Sequence, residues 1–174
     1  FNSTVAPSIM EFYPEVGVKR DVNSKPEAEN YALRGLLSVR YTLVAKDKEA
    51  EWTDKALPGW QRTGETTAYA IYENENWVPM GFAFDYYVTA DQLDRVNEDE
   101  RAQILCRAVL LDDDQISAFG GILQPLPDEK LTNRSEDAYT ADCVARRDAG
   151  VAEFAATRTG FTARTNYATD ELGF

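Results

Sequence analysis

Residues 67–88 alternate between side chains suited to opposite faces of a strand, and this alternation constrains the fold more than any other feature of the chain. Side chains at every second position of a strand point to the same face. The first run, 67–71, and the second, 80–88, are separated by a polar, turn-like segment at 73–76. Pro79 stands at the start of the second run, where a strand tolerates a residue without a backbone donor. We therefore predict two neighbouring antiparallel strands.

Helix-capping signals precede the alternating runs. Ser8 followed by Glu11 has the form of a capping box, and Ser24 with Pro26 has the pattern of a helix start, predicting a second helix that runs to Gly35. Residues 39–43 alternate again and predict a strand. The charged segment 46–64 contains glycine, proline and two tryptophans, and we interpret it as a loop whose indole rings need an apolar surface.

Further helices are predicted after the alternating runs. Thr89 and Asn97 are each followed three residues later by glutamine or glutamate, which predicts two consecutive helices, and Asp112 marks the end of the second. Ser135 begins a last helix, and the segment 151–165 has the pattern of a hairpin with a glycine in its turn. Helices thus mix with antiparallel strand pairs instead of alternating strictly, which predicts an α+β fold.

Composition narrows the classes of function. The 174 residues, of which 44% are hydrophobic, suffice for one core, so we predict a single domain over 1–174. With 18 basic and 30 acidic residues the net charge is -12, and a field of this sign repels nucleic acid. The chain has no histidine, which removes the Ser-His-Asp and Cys-His arrangements. Neither a phosphate-binding glycine loop nor a cofactor is predicted.

The two cysteines, Cys106 and Cys143, have a spacing that matches no zinc or redox motif. Two interpretations stay open. They are buried structural thiols, or they form a single disulfide if the domain lies outside the cell.

Four stretches, taken in order, carry a likeness to a known family. They are FNST (1–4) with IMEFY (9–13), YALRGLLSVRY (31–41), YENEN (72–76) with PMGFAF (79–84), and GFTA (160–163). In this order and spacing the chain resembles the extracytoplasmic C-terminal region of the YfhO family, bacterial multi-spanning membrane proteins placed among the lipid-linked-sugar glycosyltransferases. None of the stretches is a catalytic motif.

The resemblance implies a parent protein that transfers a sugar from a polyprenyl phosphate to a cell-envelope acceptor, with catalysis in a membrane-proximal loop outside these residues. This chain would then be a non-catalytic domain on the extracytoplasmic face of the cell membrane. Its partners would be the membrane-embedded remainder of the same polypeptide and a cell-envelope glycan. Family members continue with a further strand, so we expect Leu172 and Phe174 to begin it and the chain to be a fragment.

Four aromatic residues are the candidates for contact with a sugar, because flat rings offer apolar area with a polar rim. They are Trp60, Tyr72, Trp77 and Tyr87. Core packing is the competing interpretation for all of them. If they do bind a glycan, the chain is alternatively a free-standing envelope module that binds carbohydrate or protein.

Asp112 and Asp114 belong to an acidic run that follows three apolar residues, as in the cation-binding motif of nucleotide-sugar transferases. Oxygen-rich clusters favour hard cations such as calcium. The preceding residues keep helical spacing, however, so we interpret the run as a solvated helix end. A cation site at Asp112 and Asp114, and with it a small independent enzyme, is the alternative.

Overall fold

The structure, a computed structural model, describes residues 7–19 and 26–165. The helices in this part of the chain are α1 (Pro7–Glu15), α2 (Tyr31–Leu36), α3 (Glu49–Asp54), α4 (Ala90–Leu93), α5 (Arg101–Leu105), α6 (Asp113–Phe119), α7 (Asp128–Thr132) and α8 (Glu136–Asp148), with a 3₁₀ turn at Lys46–Lys48. The strands are β1 (Tyr41–Ala45), β2 (Trp60–Glu65), β3 (Tyr69–Asn74), β4 (Tyr86–Val88), β5 (Val109–Leu110), β6 (Gln124–Pro125), β7 (Val151–Ala156) and β8 (Phe161–Thr165). The predicted α+β class is confirmed.

Strand β3 is the centre of a three-stranded antiparallel sheet of order β1–β3–β2. Tyr41 pairs with Glu73 on one side, and Trp60 pairs with Asn74 on the other. A bulge between Arg62 and Gly64 shifts the register of β2. Alternate side chains of β3 are buried, so one face of this sheet packs inward and the other is open to solvent.

The predicted pairing of residues 67–71 with residues 80–88 is wrong. Within 80–88 the structure forms a strand only at β4, which is the centre of a parallel sheet of order β5–β4–β6. Phe82 instead makes an isolated bridge to Gly150. Alternation reports which side chains are half-buried, but it does not identify the backbone partners, and here those partners lie far along the chain.

The predicted helix from Asn97 to Asp112 is wrong at both ends, since α5 begins only at Arg101, with Glu100 and not Asn97 as its N-cap. α5 ends at Leu105, and β5 follows with Val109 beside Tyr87 in parallel register. The Leu111 N–H then donates to the carbonyl oxygen of Val88 at 3.0 Å. A short apolar run such as 108–111 fits a helix and a strand equally well by periodicity, and here pairing with β4 selects the strand.

The structure differs from prediction at two further places, the segment 46–64 and the start of α2. The segment 46–64 is no loop, since it contains α3 and the start of β2. α3 buries no residue completely, so the sequence lacks the apolar periodicity that would reveal it. α2 begins at Tyr31 with Asn30 as its cap, whereas the predicted start at Ser24 lies outside the described residues.

The main core lies among α2, α5 and α8. Each contributes one of the largest fully buried side chains, Leu33, Ile104 and Tyr139 respectively. Burial of one such leucine or isoleucine stabilises the fold by about 1.5–3 kcal/mol. In the part of the chain that the structure describes, no helix has both the length and the apolar character to cross a membrane.

Residues 31–41 pack against the segment 72–78 that contains the end of β3. The Val78 N–H donates to the carbonyl oxygen of Gly35 at 3.1 Å, and the Ser38 hydroxyl donates to the carbonyl oxygen of Val78 at 2.6 Å. Asn74 is completely buried, and its side-chain amide donates to the carbonyl oxygen of Val39 at 3.2 Å. The side chains of these stretches therefore hold backbone segments together.

The predicted hairpin is present as β7 and β8. Phe154 pairs with Ala163 and Phe161 with Ala156, so one face of this two-stranded sheet is apolar. The rings of Phe154 and Phe161 stack with their centroids 5.4 Å apart and remain 65% and 67% exposed. The strand expected at Leu172 and Phe174 lies outside the described residues.

Candidate functional site

The structure brings Trp60 and Tyr72 together with two residues not predicted as ligand contacts, Arg34 and Trp52. We call these four residues the arginine–tryptophan cluster. Arg34 lies on α2, Trp52 on α3, Trp60 at the start of β2 and Tyr72 in β3, so the cluster joins two helices to the covered face of the antiparallel sheet. Trp52 is one of the two tryptophans in segment 46–64 whose indole rings are predicted to need an apolar surface. The covered face of the antiparallel sheet is that surface.

Contacts between aromatic rings fix the arrangement of side chains in the cluster. The Trp52 and Trp60 ring centroids are 5.5 Å apart at 90°, an edge-to-face arrangement, and Trp52 lies 5.7 Å from Tyr72. The guanidinium carbon of Arg34 is 5.2 Å from the Trp60 centroid and 5.7 Å from that of Trp52. Such cation–π contacts contribute about 0.5–2 kcal/mol each, depending on their desolvation.

A polar network holds the far side of the cluster. The Tyr72 hydroxyl donates to Oε1 of Glu49 at 3.2 Å, and the same oxygen accepts a 2.7 Å hydrogen bond from Nε of Arg62. Tyr72 itself is buried. Its role is therefore to anchor α3 to the sheet through Glu49, and its ring is closed to a ligand by Trp52.

Arg34 is a half-buried cation without a salt bridge among the described residues. Its Nη2 donates to the Thr42 hydroxyl at 2.6 Å, and burial lowers the pKa of its guanidinium. The deeper arginines Arg101, Arg107 and Arg146, by contrast, each face a carboxylate. Two N–H groups of the cluster, Nε of Arg34 and Nε1 of Trp60, are buried without an acceptor. Both donors are closed to solvent in this arrangement, so an oxygen acceptor reaches them only when the side chains of the cluster move.

Trp77 and Tyr87 do not join this cluster. Trp77 is half-buried beyond the end of β3, with the Arg40 guanidinium carbon 5.1 Å from its ring centroid. Tyr87 lies in β4, inside the parallel sheet, where its backbone pairs with Val109 and Pro125. The four aromatic candidates therefore occupy three separate environments and form no common platform.

The exposed large apolar and aromatic side chains of the antiparallel sheet belong to different residues. Tyr41, Leu43 and Tyr69 all point to its open face. The sequence contains the signal for them, because all three occupy one face of predicted strands. The sequence does not show which of the two faces the helices cover, because that depends on the path of the chain. The prediction therefore names Tyr72, which is buried.

The acidic run begins a helix, which corrects its interpretation as a helix end. Asp112 is the N-cap of α6: its carboxylate accepts the Gln115 N–H at 2.8 Å, and the Gln115 side chain accepts the Asp112 N–H at 3.0 Å. Asp114 lies exposed in the first turn. Over residues 7–19 and 26–165 no three histidine, cysteine or acidic side chains are grouped as a metal site would require.

Comparisons with known proteins add no relative. The chain matches no protein-family model, no curated protein and no solved structure.

Proposed function

We propose that this chain is a non-catalytic extracytoplasmic domain of a YfhO-like bacterial membrane protein, whose parent transfers a sugar from a polyprenyl phosphate to a cell-envelope acceptor. The observation that carries the proposal is the ordered set of four stretches that resemble this family. Two of them, 31–41 and 72–76 with 79–84, are in direct contact: the Asn74 side-chain amide donates to the carbonyl oxygen of Val39, and the Asn74 N–H donates to the carbonyl oxygen of Arg40.

The character of those contacts supports a structural role. Asn74 and Asn76 are buried, and the Asn76 N–H donates to the side-chain oxygen of Asn74 at 3.0 Å. Buried amides that bond to the backbone fix the path of a chain, and they are not positioned to react with a substrate. A family likeness that includes such residues fits a scaffold whose chemistry lies in another part of the parent.

The hairpin of β7 and β8 supports attachment to a larger protein. An isolated two-stranded hairpin is only marginally stable in water, and this one exposes the apolar pair Phe154 and Phe161. Contact with the remainder of the parent would cover that face.

The first test is the native reading frame, which we expect to encode about a dozen membrane-spanning helices of roughly 20 apolar residues each. A frame without them contradicts the proposal. The second test is topology. Alkaline phosphatase, which is active only after export, is fused in the full-length protein immediately after residue 165. We expect an active reporter, and an inactive one places the domain on the wrong side of the membrane.

A second candidate function, a module that binds envelope carbohydrate, is favoured by the unpartnered donors of the arginine–tryptophan cluster. Titration with neutral envelope sugars is followed by tryptophan fluorescence. Loss of one ring contact in Trp60→Ala is expected to weaken binding roughly tenfold. Trp77→Phe, outside the cluster, is the matched control and leaves the affinity unchanged. A wild-type protein that responds to none of the sugars contradicts this candidate.

A further inference from the structure

Two cysteines that are distant in sequence meet in the main core. Cys106 directly follows α5, Cys143 lies on α8, and neither side chain is exposed. The two thiols are neighbours: contact with the Cys143 thiol, together with burial, raises the pKa of the Cys106 thiol well above its usual range, and contact with the Cys106 thiol lowers the pKa of the Cys143 thiol. In the reduced chain the Cys106 thiol is therefore protonated at neutral pH, and no oxidant reaches it from solvent.

The residues next to the two cysteines link α8 to the segment that follows α5. Arg107 follows Cys106 and Asp142 precedes Cys143, and these neighbours form a two-pronged ion pair with distances of 2.5 and 2.8 Å. α2 supports the arrangement, since the Cys106 Sγ lies 4.0 Å from the carbonyl oxygen of Ala32. The end of α5 and the middle of α8, which carry the two thiols, are therefore tied together by this ion pair.

We propose that Cys106 and Cys143 form an intramolecular disulfide when this chain folds in an oxidising environment. The bond links the end of α5 to the middle of α8. It goes beyond the proposed function, because it depends on the fold and on the redox potential of the surroundings but not on the identity of the parent protein.

The reaction is thiol–disulfide exchange with an external disulfide, either a small molecule such as oxidised glutathione or a thiol oxidoreductase of the envelope. One cysteine thiolate attacks the external disulfide and releases one reduced thiol. The second cysteine then attacks the mixed disulfide, forms the internal S–S bond and releases the other reduced thiol. Two protons and two electrons leave the protein. Because both side chains are buried, exchange takes place before the core closes during folding.

The test begins with the reduced, urea-unfolded protein, which is refolded at pH 8 either with oxidised glutathione or with an excess of reductant. After an acid quench the chain is unfolded, treated with a maleimide and weighed by mass spectrometry without reduction. The expected oxidised product is a monomer that is lighter than the reduced chain by two hydrogens and carries neither maleimide nor glutathione. Loop closure in the unfolded state is expected to raise its Tm by about 5–10 °C.

Two results would overturn the proposal: two maleimide-labelled thiols, or a persistent mixed disulfide with glutathione. Cys106→Ser and Cys143→Ser are the matched controls, since each keeps one thiol and gains no Tm on oxidation. If a serine variant fails to fold, the oxidised and reduced wild-type samples still decide the matter. None of these outcomes bears on the reading frame or the topology of the parent.

Discussion

The guanidinium of Arg107 and the carboxylate of Asp142 are 2.5 Å apart, with side chains 6% and 21% exposed. Arg107 also donates to the carbonyl oxygens of Lys130 and Asn133, so it joins α5, α7 and α8. Removal of Asp142 leaves a buried positive charge without its counter-ion. We expect Asp142→Ala to lower the free energy of unfolding by about 3 kcal/mol, measured by urea denaturation.

The matched control is the ion pair between Glu153 and Arg164 in the hairpin, whose side chains are 71% and 73% exposed. Solvent screens such a pair, and Glu153→Ala is expected to cost at most about 1 kcal/mol. Equal losses in Asp142→Ala and Glu153→Ala would mean that burial does not strengthen the Arg107 contact.

Gly35 lies close to the side chain of Tyr139 and the backbone of Asn76. A Cβ at this position would lie 2.6 Å from the Tyr139 hydroxyl and 2.8 Å from the carbonyl oxygen of Asn76. We expect Gly35→Ala to destabilise the fold by about 1–3 kcal/mol through overpacking, in the same urea assay. Gly121, where an added Cβ meets nothing within 4 Å, is the control, and a stable Gly35→Ala variant would show that α2 shifts freely.

Because Asp112 caps α6, its substitution is expected to change the stability of the fold in a way that loss of a metal ligand would not. We expect Asp112→Ala to lower the free energy of unfolding by about 1 kcal/mol and Asp112→Asn to restore most of it, because asparagine is an equally good cap. Thermal melts with and without calcium make the measurement. A calcium-dependent rise in Tm that Asp112→Asn abolishes would instead support the cation-site hypothesis.

Because the phenol of Tyr139 is buried, we expect the free energy of unfolding to fall in alkaline solution. Burial raises the pKa of its phenol in the folded chain, so the unfolded chain loses this proton first as pH rises. Stability from this residue is complete below about pH 9 and falls by up to about 1.4 kcal/mol per pH unit above pH 10. Urea denaturation from pH 7 to 11, with reductant present, should show a shallower decline for Tyr139→Phe. Identical slopes would mean that the phenol is hydrated in the folded state.

The four predicted aromatic contacts show what residue type alone can and cannot predict. Trp60 and Tyr72 are predicted as ligand contacts because of their ring chemistry, and the structure places both in one cluster with Arg34. The sequence gives no reason to join Arg34 to them, because α2 reaches the sheet only through the tertiary path of the chain. Trp77 and Tyr87 have the same chemistry and lie elsewhere, so residue type alone did not define a site.

Local patterns by themselves determined the α+β composition, the hairpin of residues 151–165 and the capping pairs at Thr89 and Ser135, because these depend on neighbours within a few residues. Only the tertiary structure decided that residues 86–88 form the centre of a parallel sheet, that residues 109–110 form a strand beside them and that Cys106 meets Cys143. The physical reason is that a strand's hydrogen-bond partner and a buried side chain's neighbour are chosen by long-range packing, which a periodic pattern does not encode.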